Sequence, residues 1–256
     1  MLLYVNGDSH AAGHGIVTKA GWACDDPDFG HLGTLPHPHN EALSFGAQLC
    51  KITGWQRVNQ SQSGGSNPRI IRTTRDWIQR NLHKRDQIFV LIQWSTWERE
   101  EWLHDGVWYQ VNASGQDHVP PELGDRYKQF VLDVDWTAAN LRAHDQIWNF
   151  HKELEQLEIP HLFFNGNSHF GNTHEVDGDI VPIIPQNQRP NWNSCYIGPY
   201  SRKTTYDQIL RHEQFATVEP APGYHFGQDA HCFWAQYLLQ YIKSNNLLRP
   251  DEIPTD

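Results

Sequence analysis

The chain has 256 residues, 38% of them hydrophobic, with 11 Trp, 11 Phe and 9 Tyr; that is enough to bury one sizeable core, and it excludes a disordered chain. A formal net charge of −10 argues against a protein that tracks nucleic-acid phosphates, and the most basic stretch, residues 69–85, is interleaved with apolar positions like the outer face of a helix. No apolar run is long enough to span a membrane, and the first one ends by Val5, leaving no room for a signal peptide; the expected location is cytoplasmic.

In chain order, Leu2–Val5 is a continuous apolar run, as expected of a strand covered on both faces of a parallel sheet. Residues 40–52 read as a helix capped by Asn40, with Leu43, Ala47 and Cys50 on one face and Gly54 as its stop. Gln56–Asn59 is a short second strand. The loop Ser61-Gln62-Ser63-Gly64-Gly65-Ser66-Asn67-Pro68 then leads into a helix carrying Ile70, Ile71, Thr74, Trp77 and Ile78 at helical spacing. Residues 87–93 form the clearest strand. One or two helices fill 126–158, with Leu141, His144, Trp148, His151 and Leu154 as a stripe, and His161–Asn165 is the next strand. Residues 166–222 read as an irregular excursion, and 227–243 as a closing helix bearing Ala230, Phe233, Trp234, Tyr237, Leu238, Tyr241 and Ile242. Strands alternating with helices predict a single α/β domain over 1–256: a three-layer αβα sandwich around a mostly parallel, flavodoxin-like sheet. In such sheets the reactive loops gather at the carboxyl ends of the strands, where Ser9, Gly64, Thr96 and Asn165 all fall.

A serine hydroxyl used in catalysis needs a base, donors for an oxyanion, and a backbone that presents it clear of the sheet. Gly7-Asp8-Ser9-His10, directly after the first strand, meets the last requirement, although Gly, Asp and Ser are also ordinary turn residues. With Val58-Asn59-Gln60-Ser61-Gln62-Ser63-Gly64 after the second strand, this segment resembles the first two blocks of the SGNH/GDSL hydrolases. The resemblance implies Ser9 as nucleophile, and the backbone N–H groups of Ser9 and Gly64 as oxyanion donors. The third block, ordinarily Gly-x-Asn-Asp, is replaced by Gln93-Trp94-Ser95-Thr96-Trp97-Glu98-Arg99-Glu100, which sets Thr96 at the donor Asn position. Asp8, His10, Trp94 and Arg99 are candidate pocket residues; Arg99 and Glu100 read equally well as a solvated ion pair.

The family's Asp-x-x-His block has two competing registers here. Asp229 and His231 lie inside the closing helix at the wrong spacing, and a carboxylate in a first turn suits the helix dipole. His225 stands in the loop before that helix, where the family keeps its base, but Pro222 occupies the Asp position. Glu219, or Asp177 or Asp179 from the excursion, is then the candidate orienting carboxylate. The resemblance implies a serine esterase acting on an acylated small molecule or carbohydrate, such as a carbohydrate O-deacetylase. It implies no cofactor, nucleic acid or membrane partner. The altered blocks look more like phage-encoded members, so the competing reading is a non-catalytic, virion-associated protein that binds glycan or protein. Trp94, Trp97, Trp102, Trp108, Tyr109, Trp192, Tyr196 and Tyr200 offer rings that stack on sugars or build a core. The four cysteines, Cys24, Cys50, Cys195 and Cys232, stand apart as free thiols. His37 and His39, with His10, His14 and His31, lack a Cys or carboxylate at ligand spacing, so no metal site is assigned.

Overall fold

The computed structural model describes residues 1–16, 37–113, 119–218, 223–249 and 252. The chain opens with β1 (Leu2–Asn6), followed by a single turn of helix, α1 (Ser9–Ala12). Next come α2 (Pro38–Glu41), α3 (Phe45–Thr53), β2 (Gln56–Asn59), α4 (Asn67–Asn81) and β3 (Ile88–Trp94). A hairpin, β4 (Glu100–His104) and β5 (Val107–Val111), precedes α5 (Gly124–Leu132), α6 (Trp136–Gln156) and β6 (His161–Asn165). A second hairpin, β7 (Thr173–Val176) and β8 (Asp179–Pro182), is followed by α7 (Tyr206–His212) and α8 (Gln228–Ser244).

The central sheet has the order β2-β1-β3-β6 with every pairing parallel. Its strands alternate between two cores. Tyr4, Val90, Ile92, Trp94 and Phe163 face α4 and α6, where Ile70, Trp77, Ile147 and Phe150 pack. Leu3, Val5, Phe89, Leu91, Leu162 and Phe164 face α3 and α8, where Phe45, Leu49, Trp234 and Leu238 pack. A strand apolar on both faces is stable only when helices cover both, which accounts for the three layers and for the continuous apolar runs. Because β2 and β3 lie on opposite sides of β1, the chain reverses direction across the sheet there, and the crevice of a doubly wound sheet opens at that point.

Three expectations change. The helix expected over 40–52 is two: the Ser44 hydroxyl accepts from Ala47 N–H (3.4 Å) and starts α3, while Asn40 is buried within α2. The stretch 166–222 is not irregular throughout, since it contains β7, β8 and α7. The hairpin β4–β5 is an additional element; it turns at Asp105 and Gly106, with φ of 48° and 78°. Among the described residues no helix is long and apolar enough to cross a membrane.

Candidate functional site

The turn after β1 is built around a close approach. A Cβ on Gly7 would lie 2.7 Å from Ala11 Cβ and 3.0 Å from the Gln93 carbonyl oxygen, so only glycine fits. Asp8 is buried and satisfied on both oxygens. Oδ1 caps α1 by accepting from His10 N–H (3.0 Å), and Oδ2 accepts from the Ser95 hydroxyl (2.9 Å) and Arg99 Nη1 (3.3 Å). Gln93 completes the brace, its Oε1 accepting from Asp8 N–H at 3.1 Å. Burial pushes the Asp8 carboxyl up, but the neighbouring His10 and Arg99 and its hydrogen bonds outweigh that and leave it below the ordinary value. Burial drives His10 down to about 4, so near neutral pH the Arg99 guanidinium is the charge that holds Asp8 ionised.

Ser9, held by this turn, lies 2.9 Å from His225, hydroxyl oxygen to Nε2. In that geometry an imidazole can accept the hydroxyl proton, which places its own proton on Nδ1. The His225 backbone is fixed on each side. Its carbonyl accepts from Val218 N–H (2.8 Å), Thr217 bridges Phe226, and Phe226 is fully buried. Arg211 holds both flanks: Nη2 donates to the Gly223 carbonyl (2.8 Å), and the guanidinium carbon lies 5.6 Å from the Phe226 ring centroid. Arg211 is itself held by Asp207 Oδ1 (2.8 Å), whose backbone N–H donates to the Gly166 carbonyl beyond β6 (3.0 Å). A chain of contacts thus runs from the sheet to the histidine loop.

Around the pair, the His10 ring lies 5.4 Å from both the His225 and Tyr206 rings, and the His14 ring 4.8 Å from His225. His14 Nδ1 pairs with the Ser63 hydroxyl at 3.3 Å, which brings the loop after β2 to the same place. Gly64, in that loop, has φ of +73°, and Asn112 Nδ2 lies 3.9 Å from where its Cβ would be.

Several expected roles take another form. The one hydroxyl hydrogen of Thr96 is donated to Glu98 Oε1 (2.9 Å), so it is spent and cannot serve an oxyanion. Trp94 is fully buried among Phe150 and Phe163, because its position in β3 points into the core rather than to a pocket. Arg99 is no solvated partner of Glu100; it joins Asp8 and Ser95, while Glu100 pairs with Arg142 (3.4 Å). His231 is buried, its Nδ1 accepts from Phe45 N–H (3.0 Å), and burial drives it down to about 3, whereas Asp229 is exposed in the first turn of α8. Asp177 and Asp179 lie exposed at the turn of the second hairpin, and Glu219 lies outside the described residues. His37 caps α2, its Nδ1 accepting from His39 N–H (3.2 Å), and His31 lies outside the described residues. Of the aromatic residues considered for stacking, Trp94, Trp97, Trp102, Trp192 and Tyr196 are core, and the exposed Trp108 lies under Arg72 (4.6 Å).

Four residues escaped the sequence reading: Gln93, Asn112, Arg211 and Tyr224. Tyr224 is 57% exposed beside His225, and adjacency to that histidine was the signal available for it. Nothing local marks Asn112 or Arg211, which reach the site through a hairpin and a helix distant in sequence. A cavity of about 330 Å³ lies between the first hairpin and α5–α6, lined by Glu98, Trp102, Arg126, Phe130 and Arg142; Ser9, Gly64 and His225 do not line it.

A model described as a family of unknown function, DUF6071, matches residues 33–136. No curated protein matches the chain. Among solved structures the chain is similar to a candidate lipolytic protein of the G-D-S-L family from Desulfitobacterium hafniense DCB-2. The two share 11% identity with a TM-score of 0.42 over 96% of this chain and 99% of that one. It is also similar to a candidate GDSL-like lipase from Parabacteroides merdae ATCC 43184, at 9% identity and a TM-score of 0.41 over 96% of each chain.

Proposed function

We propose that this protein is a serine hydrolase of the SGNH/GDSL kind, an esterase with Ser9 as nucleophile and His225 as general base. The observation that carries the reading is the 2.9 Å approach of His225 Nε2 to the Ser9 hydroxyl, between residues 216 positions apart in sequence. Ser9 Oγ attacks the acyl carbon while Nε2 takes its proton. The oxyanion that develops is held by the Ser9 and Gly64 N–H groups, with the Asn112 amide, beside Gly64, in place of Thr96 as third donor. His225 then returns the proton to the leaving alcohol, and water releases the acyl group from Ser9 by the same steps in reverse. Arg211 positions the base, sharing that work with whatever group meets Nδ1. The substrate class we assign is a short acyl ester on a carbohydrate, with the exposed Tyr224 ring beside His225 as the stacking face.

The test is hydrolysis of p-nitrophenyl acetate and release of acetate from acetylated sugars. Ser9→Ala and His225→Ala are each expected to lower kcat/KM about a thousandfold or more. Equal, slow rates in wild type and both variants would sink the reading and leave a non-catalytic binding protein in its place.

A further inference from the structure

A second cluster lies at the amino end of β6, away from the strand ends that carry Ser9. His151 of α6, His161 at the first position of β6 and Cys195 bring their side-chain donor atoms within 4.8 Å of one another; among the described residues no other three His, Cys, Asp or Glu do so. His151 and His161 are 0% and 2% exposed, and Cys195 is half-buried. Cys195 belongs to the strand-like segment that returns from the excursion and lines the edge of β6. There Phe163 N–H donates to the Cys195 carbonyl (2.8 Å), and Ile197 N–H to the Phe163 carbonyl (2.9 Å).

Counting protons shows that the cluster is incomplete as it stands. His161 Nδ1 faces the Ile159 carbonyl at 2.9 Å, which requires a hydrogen on Nδ1 and leaves Nε2 a bare acceptor. His151 Nδ1, 2.7 Å away, must then donate to that Nε2. In a neutral ring this strips His151 Nε2 of its hydrogen. That atom is buried without a hydrogen-bond partner, 3.5 Å from Glu155 Oε2, so a lone pair faces a carboxylate oxygen. Such an arrangement costs free energy unless a positive charge enters it.

We infer that His151, His161 and Cys195 form a structural site for a divalent cation of the zinc class. Two imidazoles and a thiolate are the donor set that a borderline-soft tetrahedral ion takes. The Nδ1–H of His161 on a backbone carbonyl is the outer contact that fixes a ligating imidazole. Glu155, four residues after His151 on the same helix, lies 3.5 Å from His151 Nε2 and is the outer carboxylate that orients this second imidazole. Trp148, stacked on His151 at 5.1 Å, and Trp192, 5.4 Å from it, provide an apolar wall. On binding between His151 Nδ1 and His161 Nε2, the ion displaces the thiol proton to solvent, and the His151 hydrogen passes from Nδ1 to Nε2, where it faces Glu155 and leaves the ring a neutral ligand. It ties α6, β6 and the returning end of the excursion into one unit, and the site is independent of the Ser9 chemistry.

The test uses Co2+ as a spectroscopic stand-in on the chelator-treated full chain, followed by competition with Zn2+. One equivalent is expected to bind with a thiolate-to-cobalt charge-transfer band that is absent in Cys195→Ser. That conservative variant should also bind Zn2+ at least tenfold more weakly, and Zn2+ should raise the Tm of wild type and of Ser9→Ala equally. No stoichiometric uptake, or a charge-transfer band that persists in Cys195→Ser, overturns the inference. Should His161→Gln fail to fold, the Cys195→Ser comparison alone decides.

Discussion

Gly7 stands where a side chain has no room, with Ala11 Cβ and the Gln93 carbonyl both closing on its Cα. The carbonyl belongs to β3 and cannot move cheaply, so Gly7→Ala must push the Ser9 turn outward. Misplacing a reacting group by a fraction of an ångström is expected to lower kcat about tenfold or more. Steady-state kinetics beside a thermal melt checks this, since unchanged kcat would mean that the turn absorbs the methyl group. His231 gives the opposite expectation. Its Nδ1 satisfies the buried Phe45 N–H, so His231→Ala should cost about 1–3 kcal/mol in a urea titration while leaving kcat/KM of the folded protein within about threefold. Activity abolished in a folded His231→Ala protein would instead make His231 the base.

At the scale of elements, α7 holds the backbone of the histidine loop. Through Arg211 it grips the Gly223 carbonyl before His225 and the Phe226 ring after it. Arg211→Ala is expected to lower kcat about ten- to hundredfold with KM within about twofold, and Arg211→Lys to recover part of the loss. A purely structural role would instead lower the folded fraction and spare kcat per folded molecule. In the same loop, Tyr224→Ala should raise KM for an acetylated carbohydrate about fivefold and leave p-nitrophenyl acetate kinetics unchanged; equal effects on both substrates would remove the stacking face. Both hairpins turn on Asp-Gly pairs, Asp105-Gly106 and Asp177-Gly178, whose positive φ values this dipeptide tolerates, so their signal was present in the sequence. α7 is harder to find, because its seven residues are surrounded by Asn-, Pro- and Gly-rich chain.

For the whole molecule, burying neutral histidines ties stability to pH. Burial lowers His10 to about 4 and His231 to about 3, whereas an unfolded histidine titrates near 6.5. Below pH 6.5 the unfolded chain therefore binds protons that the fold refuses. The contribution of these two side chains is complete above that pH and falls away as pH drops toward 4, by on the order of 3 kcal/mol each. Urea midpoints measured from pH 7 to pH 4 should fall steadily, and His231→Gln should flatten part of the slope. A midpoint independent of pH over that range would show that neither ring is kept neutral.

The order of the main strands and helices, the sandwich they build and the place of Ser9 and Gly64 after β1 and β2 follow from the sequence alone. The reason is that continuous apolar runs and helical stripes encode burial locally, and the carboxyl ends of parallel strands converge whatever joins them. His225 was legible only through its position before the closing helix. The tertiary structure decided the rest. Thr96 lost its candidate role to Glu98 two residues away, Trp94 went to the core because β3 turns alternate side chains to opposite faces, and Asn112 and Arg211 arrived from distant elements. Ser9 was the residue most exposed in the sequence, and what holds it in place, Gln93, Asp8, Ser95 and Arg99, is a set of contacts between segments some 85 to 91 residues apart that no local pattern records.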